Sequence, residues 1–540
     1  MSGGNRELDR KVLPIWDSST DAVSLAENKS VKKQVDGPAP GSLSRLLLEE
    51  LEATDTAGVA AELFNVSSIE GEQKGKLIAA QKIISTDNMP GSLVLMAKQA
   101  LEGESYKNEF QTDLINTQQQ ISLIRSALTI RPRDPLAWAD LARLHIAEGH
   151  HDHAEKAMLV AIGLAPRHRW LSRVAARLFL HLDQPDRSSD ILTRNPSLKA
   201  DPWLIATEIS LAQVQSKTSK YINSGKDLLK RDIGPAHLSE LASSMATQEL
   251  SSGAIKRARP YFKQSLIVPN RSSLAQAKWA EQAHDIKTDA SVDVDLLTYA
   301  YEAKTWASYI KMDINDALSY SMDWQRSEPY SSKPAVLASY FAAILDDYPR
   351  ILDMTDKGLK VSPGNETLHL NQIYAKVASI GVHDAAIEEA DIVGWIKYIK
   401  SFSIAKGESR SHAIANMGLL CYRLGESDLG KRYYEKAEKI SRDEKHENHL
   451  LLMVNHWRES LLANSPWESA LLKNIQSAMK NSSGIGLPAA LFYLDKIQKF
   501  KASGVEWKAY IANDSGSLDR KPLFVHKSDD LKSAIHFYLD

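Results

Sequence analysis

Along the stretch from Asp134 to Arg169, apolar positions recur at helical spacing and in a fixed order. Trp138, Leu141, Ala142 and His145 fall three to four residues apart, as do Ala154, Met158 and Ala161. Gly149 separates the two groups and Pro166 closes the second, since proline cannot continue a helix. The pattern predicts two antiparallel helices joined by a tight turn. Such a hairpin has no core of its own, so it must bury its faces against neighbours built the same way. The neighbours are visible in the sequence. Ile124, Ala127 and Pro132 precede Met158, Ala161 and Pro166 by 34 residues each. Downstream, Gly253, Ala258, Phe262, Ser265 and Pro269 keep the order, as do Ala317, Ser321, Trp324 and Pro329. Ile351, Thr355, Gly358 and Pro363 follow, then Gly381, Ala386 and Ala390 with one residue inserted. The clearest late unit reads Asn416, Met417, Gly418, Cys421, Gly425, Gly430, Tyr434 and Ala437.

This set resembles the tetratricopeptide repeat family over roughly 104–442, with degenerate stretches near 170–235 and 272–297. The resemblance implies an all-α fold, a right-handed α-solenoid of antiparallel helix hairpins with about eight to nine units. In that family the first helix of each hairpin lines the inner wall of the superhelix. Carried over position by position, the best unit turns Leu136, Ala139, Arg143 and Ile146 inward, and the next turns Trp170, Arg173, Arg177 and His181. Later inward sets are Tyr299, Glu302, Trp306 and Tyr309, then Lys333, Val336 and Tyr340, and finally His412, Leu419, Tyr422 and Arg423. Arginine and tryptophan are frequent anchors at protein interfaces, and a guanidinium fork suits carboxylates, so the strip from Arg143 to His181 is expected to take an acidic segment. The competing expectation for these same residues is packing between hairpins. Some members of the family grip a chaperone's C-terminal carboxylate through a Lys and an Asn four apart. Here the corresponding residues are Ala139 and Arg143, which disfavours that role.

The flanks differ in texture. Residues 1–41 are rich in Ser, Lys, Asp and Gly and read as a flexible arm, broken by the apolar patch Val12-Leu13-Pro14-Ile15-Trp16. That patch either folds back on the array or docks a partner. Residues 42–103 are expected to form a helical cap, with Ser42 as an N-cap and helices over Leu43–Ala53, Lys76–Ile84 and Ser92–Leu101. Residues 443–540 are expected to form a second cap, with helices over 446–462, 466–480 and 487–501. Short strands are expected at 506–511 and 522–526 before a last helix near 529–539.

Charge and chemistry narrow the function. Lysine and arginine number 66 against 68 acidic residues, a balance that disfavours a dedicated nucleic-acid binder. The single cysteine, Cys421, permits no internal disulfide and occupies a packing position, which suits a reducing compartment. Residues 1–12 carry no apolar run of a secretory signal, and no run of about twenty apolar residues exists to span a membrane, so the cytoplasm is expected. Glu70–Leu77 lacks both the leading glycine and the hydroxyl residue of a phosphate loop. His150-His151-Asp152-His153 is the densest cluster of metal ligands, and His446 and His449 lie too close to form a zincin pair. The expected function is therefore a non-enzymatic scaffold or adaptor that takes a protein or peptide partner in its groove, with no cofactor. The alternative is a regulatory subunit that restrains or recruits an enzyme in a multiprotein complex, in defence or signalling. An enzyme with a site in 446–540 and RNA binding along the solenoid are weaker readings. The sequence names neither the partner, the pathway nor the oligomeric state.

Overall fold

Alternating apolar stripes and charged faces become helices in the computed structural model, 26 of them among the described residues, and no strand. The structure describes residues 15–16, 43–70, 73–86, 89, 91–102, 117–231, 234–284, 286, 294, 299–380, 389–403, 407–480 and 486–515. Contacts divide the chain into two compact units. Among the described residues, one comprises those of 15–245 with 267–270, and the other those of 246–266 and 271–515.

The N-terminal unit opens with four helices, α1 (Leu43–Thr54), α2 (Ala57–Glu70), α3 (Gln73–Ser85) and α4 (Gly91–Glu102). They share a core of Leu47, Leu51, Leu63, Phe64 and Ile83. The proposed N-cap Ser42 lies outside the described residues. Of the N-terminal arm only Ile15 and Trp16 are described, and Trp16 is buried. Hairpins follow: α5 (Thr117–Ile130), α6 (Pro135–Ala147), α7 (His151–Leu164), α8 (Arg169–His181), α9 (Pro185–Arg194), α10 (Pro202–Val214), α11 (Ile222–Leu229) and α12 (Pro235–Ser251). The α6–α7 hairpin shows why the sequence was readable there. Asp134 caps α6 by accepting from the Leu136 and Ala137 amides, and Pro135 occupies the first turn where its missing N–H costs nothing. Gly149 makes the turn at φ 74°, where a side chain would be strained, and Leu141, Ala142, Ala154, Met158 and Ala161 interlock behind it. The degenerate stretch 170–235 keeps the hairpin plan but shortens the second helices to 10 residues in α9 and 8 in α11.

The C-terminal unit continues the plan through α13 (Ile255–Ser265), α14 (Arg271–His284), α15 (Tyr301–Ile310), α16 (Ile314–Ser327), α17 (Lys333–Leu345), α18 (Tyr348–Val361), α19 (Glu366–Ala378), α20 (Glu389–Ser403), α21 (Glu408–Arg423) and α22 (Ser427–Asp443). It ends in α23 (His449–Leu462), α24 (Glu468–Met479), α25 (Leu487–Ser503) and α26 (Trp507–Ser515). One continuous core runs from Ala246 to Ile511. The α21–α22 pair approaches closely because two glycines face each other. A Cβ on Gly430 would stand 2.6 Å from a Tyr422 ring carbon and 3.0 Å from the Gly418 carbonyl oxygen. Near the end of the chain α25 turns back to pack on α15, α17 and α23 instead of extending the row. Its entry at Gly486 lies directly against the Glu447 carbonyl, leaving no room for a side chain. The expected strand at 506–511 is instead the start of α26, where Trp507 and Tyr510 pack on Phe500 as one helical face. The expected strand at 522–526 and helix at 529–539 lie outside the described residues. No helix among the described residues is long and apolar enough to cross a membrane.

Candidate ligand-binding surfaces

In the N-terminal unit, the repeat period is written into side-chain contacts. The Arg173 Nε donates to Thr207 Oγ1 at 3.1 Å, and Ser210 and Ser244 share a hydrogen bond at 3.1 Å, each pair 34 residues apart. These link equivalent positions of consecutive units. Arg173 is consequently not a free cation. Its guanidinium also pairs with Glu240, stacks 4.9 Å from the Trp203 ring centre, and retains little exposure. Glu240 is held in turn by the Asn270 amide at 3.2 Å. The expectation that Arg173 faces a ligand is corrected on this ground: a buried carboxylate already neutralises it. Arg169 is similarly paired, with the α10 cap Asp201. Arg143 and Arg177 differ. Both are half-buried, Arg177 has no ion pair among the described residues, and the Arg143 Nε is buried without a hydrogen-bond partner there. Trp170 is half-buried, and the His181 ring meets His151 edge-on at 5.5 Å. Of the inward neutral positions, Ala139 and Ile146 are fully buried.

The aromatic positions of the C-terminal unit divide into packing and lining. Trp306, Tyr309 and Tyr422 are core residues, at 0%, 1% and 6% exposure, and cannot line an open groove. Later helices cover them: the Tyr309 hydroxyl bonds the Ala489 backbone in α25, and Tyr422 sits over Gly430 of α22 while accepting from Trp467 Nε1 at 3.1 Å. Tyr299 is half-buried against Tyr301. Tyr340 and His412, by contrast, open on a cavity of about 150 Å³ enclosed by α17, α19, α21, α22, α23 and α25. Its polar lining includes Glu408, Asn371, Asn416, Asn448 and Asn455, and its floor carries Tyr374 and Tyr493. Burial holds His412 neutral, pushing it down to about 4. Burial likewise pushes the Glu408 carboxyl up to about 7, with the nearby Glu447 carboxylate adding to the effect and the Glu447 amide opposing it.

Beneath Tyr374 and Tyr493 lies a wholly buried ionic network that the sequence reading missed. Arg458 and Asp346 are both 0% exposed and pair at 3.2 Å, and Arg458 Nε reaches Glu459 at 2.6 Å. Lys496 from α25 joins Asp346 at 3.2 Å and donates to the Leu345 carbonyl at 2.7 Å. Arg423 pairs with Glu459 at 3.1 Å. Arg458 also donates to the Tyr374 hydroxyl at 2.9 Å and to that of Tyr493, and Tyr493 donates to Asp346 at 2.9 Å. Asp346 occupies the left-handed region at φ 59° where α17 ends, a conformation that short polar side chains tolerate. The signal was present as two adjacent charges, Arg458-Glu459, inside the otherwise apolar stripe of α23.

Other candidate chemistry resolves into packing. Cys421 is a buried free thiol. His456 is buried, stacks on Tyr434 at 4.7 Å and bonds Glu438 at 2.6 Å. His145, His150 and His153 form a ring trio with centres 5.2 to 5.9 Å apart. No group of three or more ligating side chains among the described residues is arranged to hold a metal ion. Ser411, His446 and Glu444 form a chain with 3.0 Å links. The Ser411 hydroxyl also lies within hydrogen-bonding reach of the Glu408 carbonyl, at 3.0 Å.

A family model described as tetratricopeptide repeat matches residues 411–444, which take in α21 from Ser411 onward and all of α22. Among solved structures, the human IFIT1 dimer with m7Gppp-AAAA aligns at 12% identity over 81% of this chain and 99% of that one, with a TM-score of 0.31. The Cut9–Hcn1 complex of the APC/C hetero-tetramer aligns at 12% identity over 85% and 99%, with a TM-score of 0.29. Naa15/Naa10 bound to HypK-THB aligns at 12% identity over 89% and 99%, with a TM-score of 0.17. No curated protein matches the chain.

Proposed function

We propose that this chain, which carries a tetratricopeptide repeat at 411–444, serves as a cytoplasmic, non-enzymatic scaffold that holds a partner protein through an acidic segment. The observation that carries this reading is the contrast among three arginines on first helices of the N-terminal unit, Arg143 and Arg177 at corresponding positions and Arg173 one turn before Arg177. Arg173 is neutralised by Glu240, whereas Arg143 and Arg177 have no ion pair among the described residues and stand on adjacent first helices, α6 and α8. Half-buried guanidinium groups without counter-ions are costly, and a partner carboxylate offsets that cost with charge-assisted, bidentate hydrogen bonds. Trp170 and His181 flank the pair and supply stacking area. The reading needs no catalytic group.

The test uses a labelled peptide rich in Asp and Glu with one aromatic residue, together with capture of the partner from the native cell. Arg143→Glu/Arg177→Glu should weaken peptide binding at least about tenfold and leave thermal unfolding nearly unchanged. Arg173→Glu should instead lower stability by about 3–5 kcal/mol, because it sets a second carboxylate against the buried Glu240. Unchanged peptide affinity and unchanged capture by the double variant would refute the assignment.

A further inference from the structure

The cavity of the C-terminal unit is built for a ligand rich in hydrogen-bond donors. Three of its amides are fixed in orientation by what they bond. Asn416 Nδ2 donates to the Leu370 carbonyl at 2.9 Å and Asn455 Nδ2 to the Leu451 carbonyl at 3.0 Å. A carbonyl can only accept, so the amide nitrogens must point there and the amide oxygens elsewhere. Asn371 Nδ2 donates to Ser339 Oγ at 2.9 Å, and that hydroxyl already gives its proton to the Val336 carbonyl, which fixes the third amide in the same way. Each amide oxygen therefore remains an acceptor without a described donor, and the Asn455 Oδ1 is buried in that state. Leaving such an oxygen unpaired costs about 1–3 kcal/mol, which a donor placed in the cavity would recover.

Charge points the same way. The acidic side chain of the lining is Glu408, whose Oε1 accepts from the Glu447 amide at 3.2 Å. From the segment beside it come Glu447, and His446 bonded to Glu444. His412 on α21 is neutral, and α17, α19, α22 and α25 present Tyr340, Tyr374, Tyr434 and Tyr493. Arg458, Arg423 and Lys496 lie behind the tyrosines, where Asp346 and Glu459 engage them. Phenol rings favour a cation over their faces, and Ala343, Ile344, Ala415, Leu451 and Leu452 offer a wall for methylenes.

We propose that this cavity binds a protonated aliphatic amine, either a free small amine or a lysine side chain presented by a partner, with Glu408 as counter-ion and the Asn371, Asn416 and Asn455 oxygens as acceptors. An ammonium group brings three donors and one positive charge, which is what this lining lacks. Glu408 without the amine is largely protonated below about pH 7. Binding strengthens as pH rises through that range, and uptake of the amine at lower pH releases a proton.

The experiment is calorimetric titration of the full-length chain with hexylamine and a capped lysine peptide, against hexanol and hexanoate as neutral and anionic controls. At about pH 8, where Glu408 is ionised, an amine should bind at least about tenfold tighter than hexanol, and Glu408→Gln should remove that preference. Tighter binding of the lysine peptide than of hexylamine assigns the site to a partner's lysine, and the reverse order assigns it to a free amine. Both orders support the proposal. Equal affinity for hexanol and hexylamine, preference for hexanoate, or no binding of either amine at millimolar concentration would overturn it. The comparison of probes stands even if Glu408→Gln fails to fold.

Discussion

Removing one member of a buried ionic network costs more than removing a surface charge. Arg458 is the strongest case, since it makes four hydrogen bonds, one each with Asp346, Glu459, Tyr374 and Tyr493, and has no exposure. Replacing an intact buried pair by apolar groups can be neutral, but removing one partner strands the other. Arg458→Met should therefore cost about 3–5 kcal/mol, read as a lower urea midpoint, and Arg458→Met/Asp346→Leu should recover part of that loss. His145 carries a pH dependence of definite sign. Burial, reinforced by Arg125 and by His153 and His150, pushes it down to about 4. The unfolded chain takes up a proton near pH 6.5 while the folded one resists until about pH 4, so the contribution is complete above 6.5 and lost as pH falls through that window. Acid titration of stability should show a loss of about 2–3 kcal/mol that His145→Leu reduces. These residues were only partly legible in the sequence. Tyr340 and His412 were placed inward by periodicity and do line the cavity. Arg173 was placed by the same rule but is captured by Glu240, which lies 67 residues further on and belongs to no local pattern.

Helix pairing was the most legible level, because each hairpin's packing is set within about one repeat of sequence. Small residues in the sequence marked where backbones come together, and Gly418 and Gly430 confirm it in the tightest pair. The two glycines place α21 and α22 so that Tyr422 and Tyr434 each cover the opposite helix's glycine. A methyl group at either position would drive a ring edge aside, and at Gly430 it would also press on the Gly418 backbone at 3.0 Å. Gly430→Ala gains helix propensity of about 1 kcal/mol yet should lose about 1–3 kcal/mol overall from overpacking. Gly425→Ala tests a different cost at the same hairpin, since φ 78° strains any side chain although nothing stands within 4 Å of its Cβ. Pairing Gly430→Ala with Tyr422→Leu should restore part of the loss if ring crowding is its cause, and a thermal melt of the three chains would decide. The strand reading of 506–511 failed at this level for a definite reason. Trp507, Tyr510 and Ile511 stand at i, i+3 and i+4, the helical period, and Trp507 and Tyr510 pack on Phe500 as one face of that helix.

For the molecule as a whole, the least legible feature is the return of α25 onto helices formed some 150 residues earlier. Repeat periodicity assigns each first helix an inner face but says nothing about what later covers it. Here Tyr493 and Lys496 bring hydrogen bonds to Asp346 at the end of α17, Ala489 meets Tyr309 of α15, and the expected aromatic groove becomes core. Covering the row has a thermodynamic consequence. A terminal unit of a solenoid ordinarily needs only a polar outer face, whereas α25 contributes to the interior of several units at once, so its loss should be felt far from the chain end. Deleting residues from Gly486 onward would strip Lys496 and Tyr493 from Asp346 and leave Arg458 with one fewer acceptor. Hydrogen exchange over 301–345 and 449–462 should then accelerate by at least about tenfold, while 135–214 in the other unit keeps its protection. If α25 were an ordinary cap instead, faster exchange would be confined to its sequence neighbours near 449–480. A deletion chain with native protection across 301–345 would show that the row holds itself together, and would return Trp306, Tyr309 and Tyr340 to the role of an open groove.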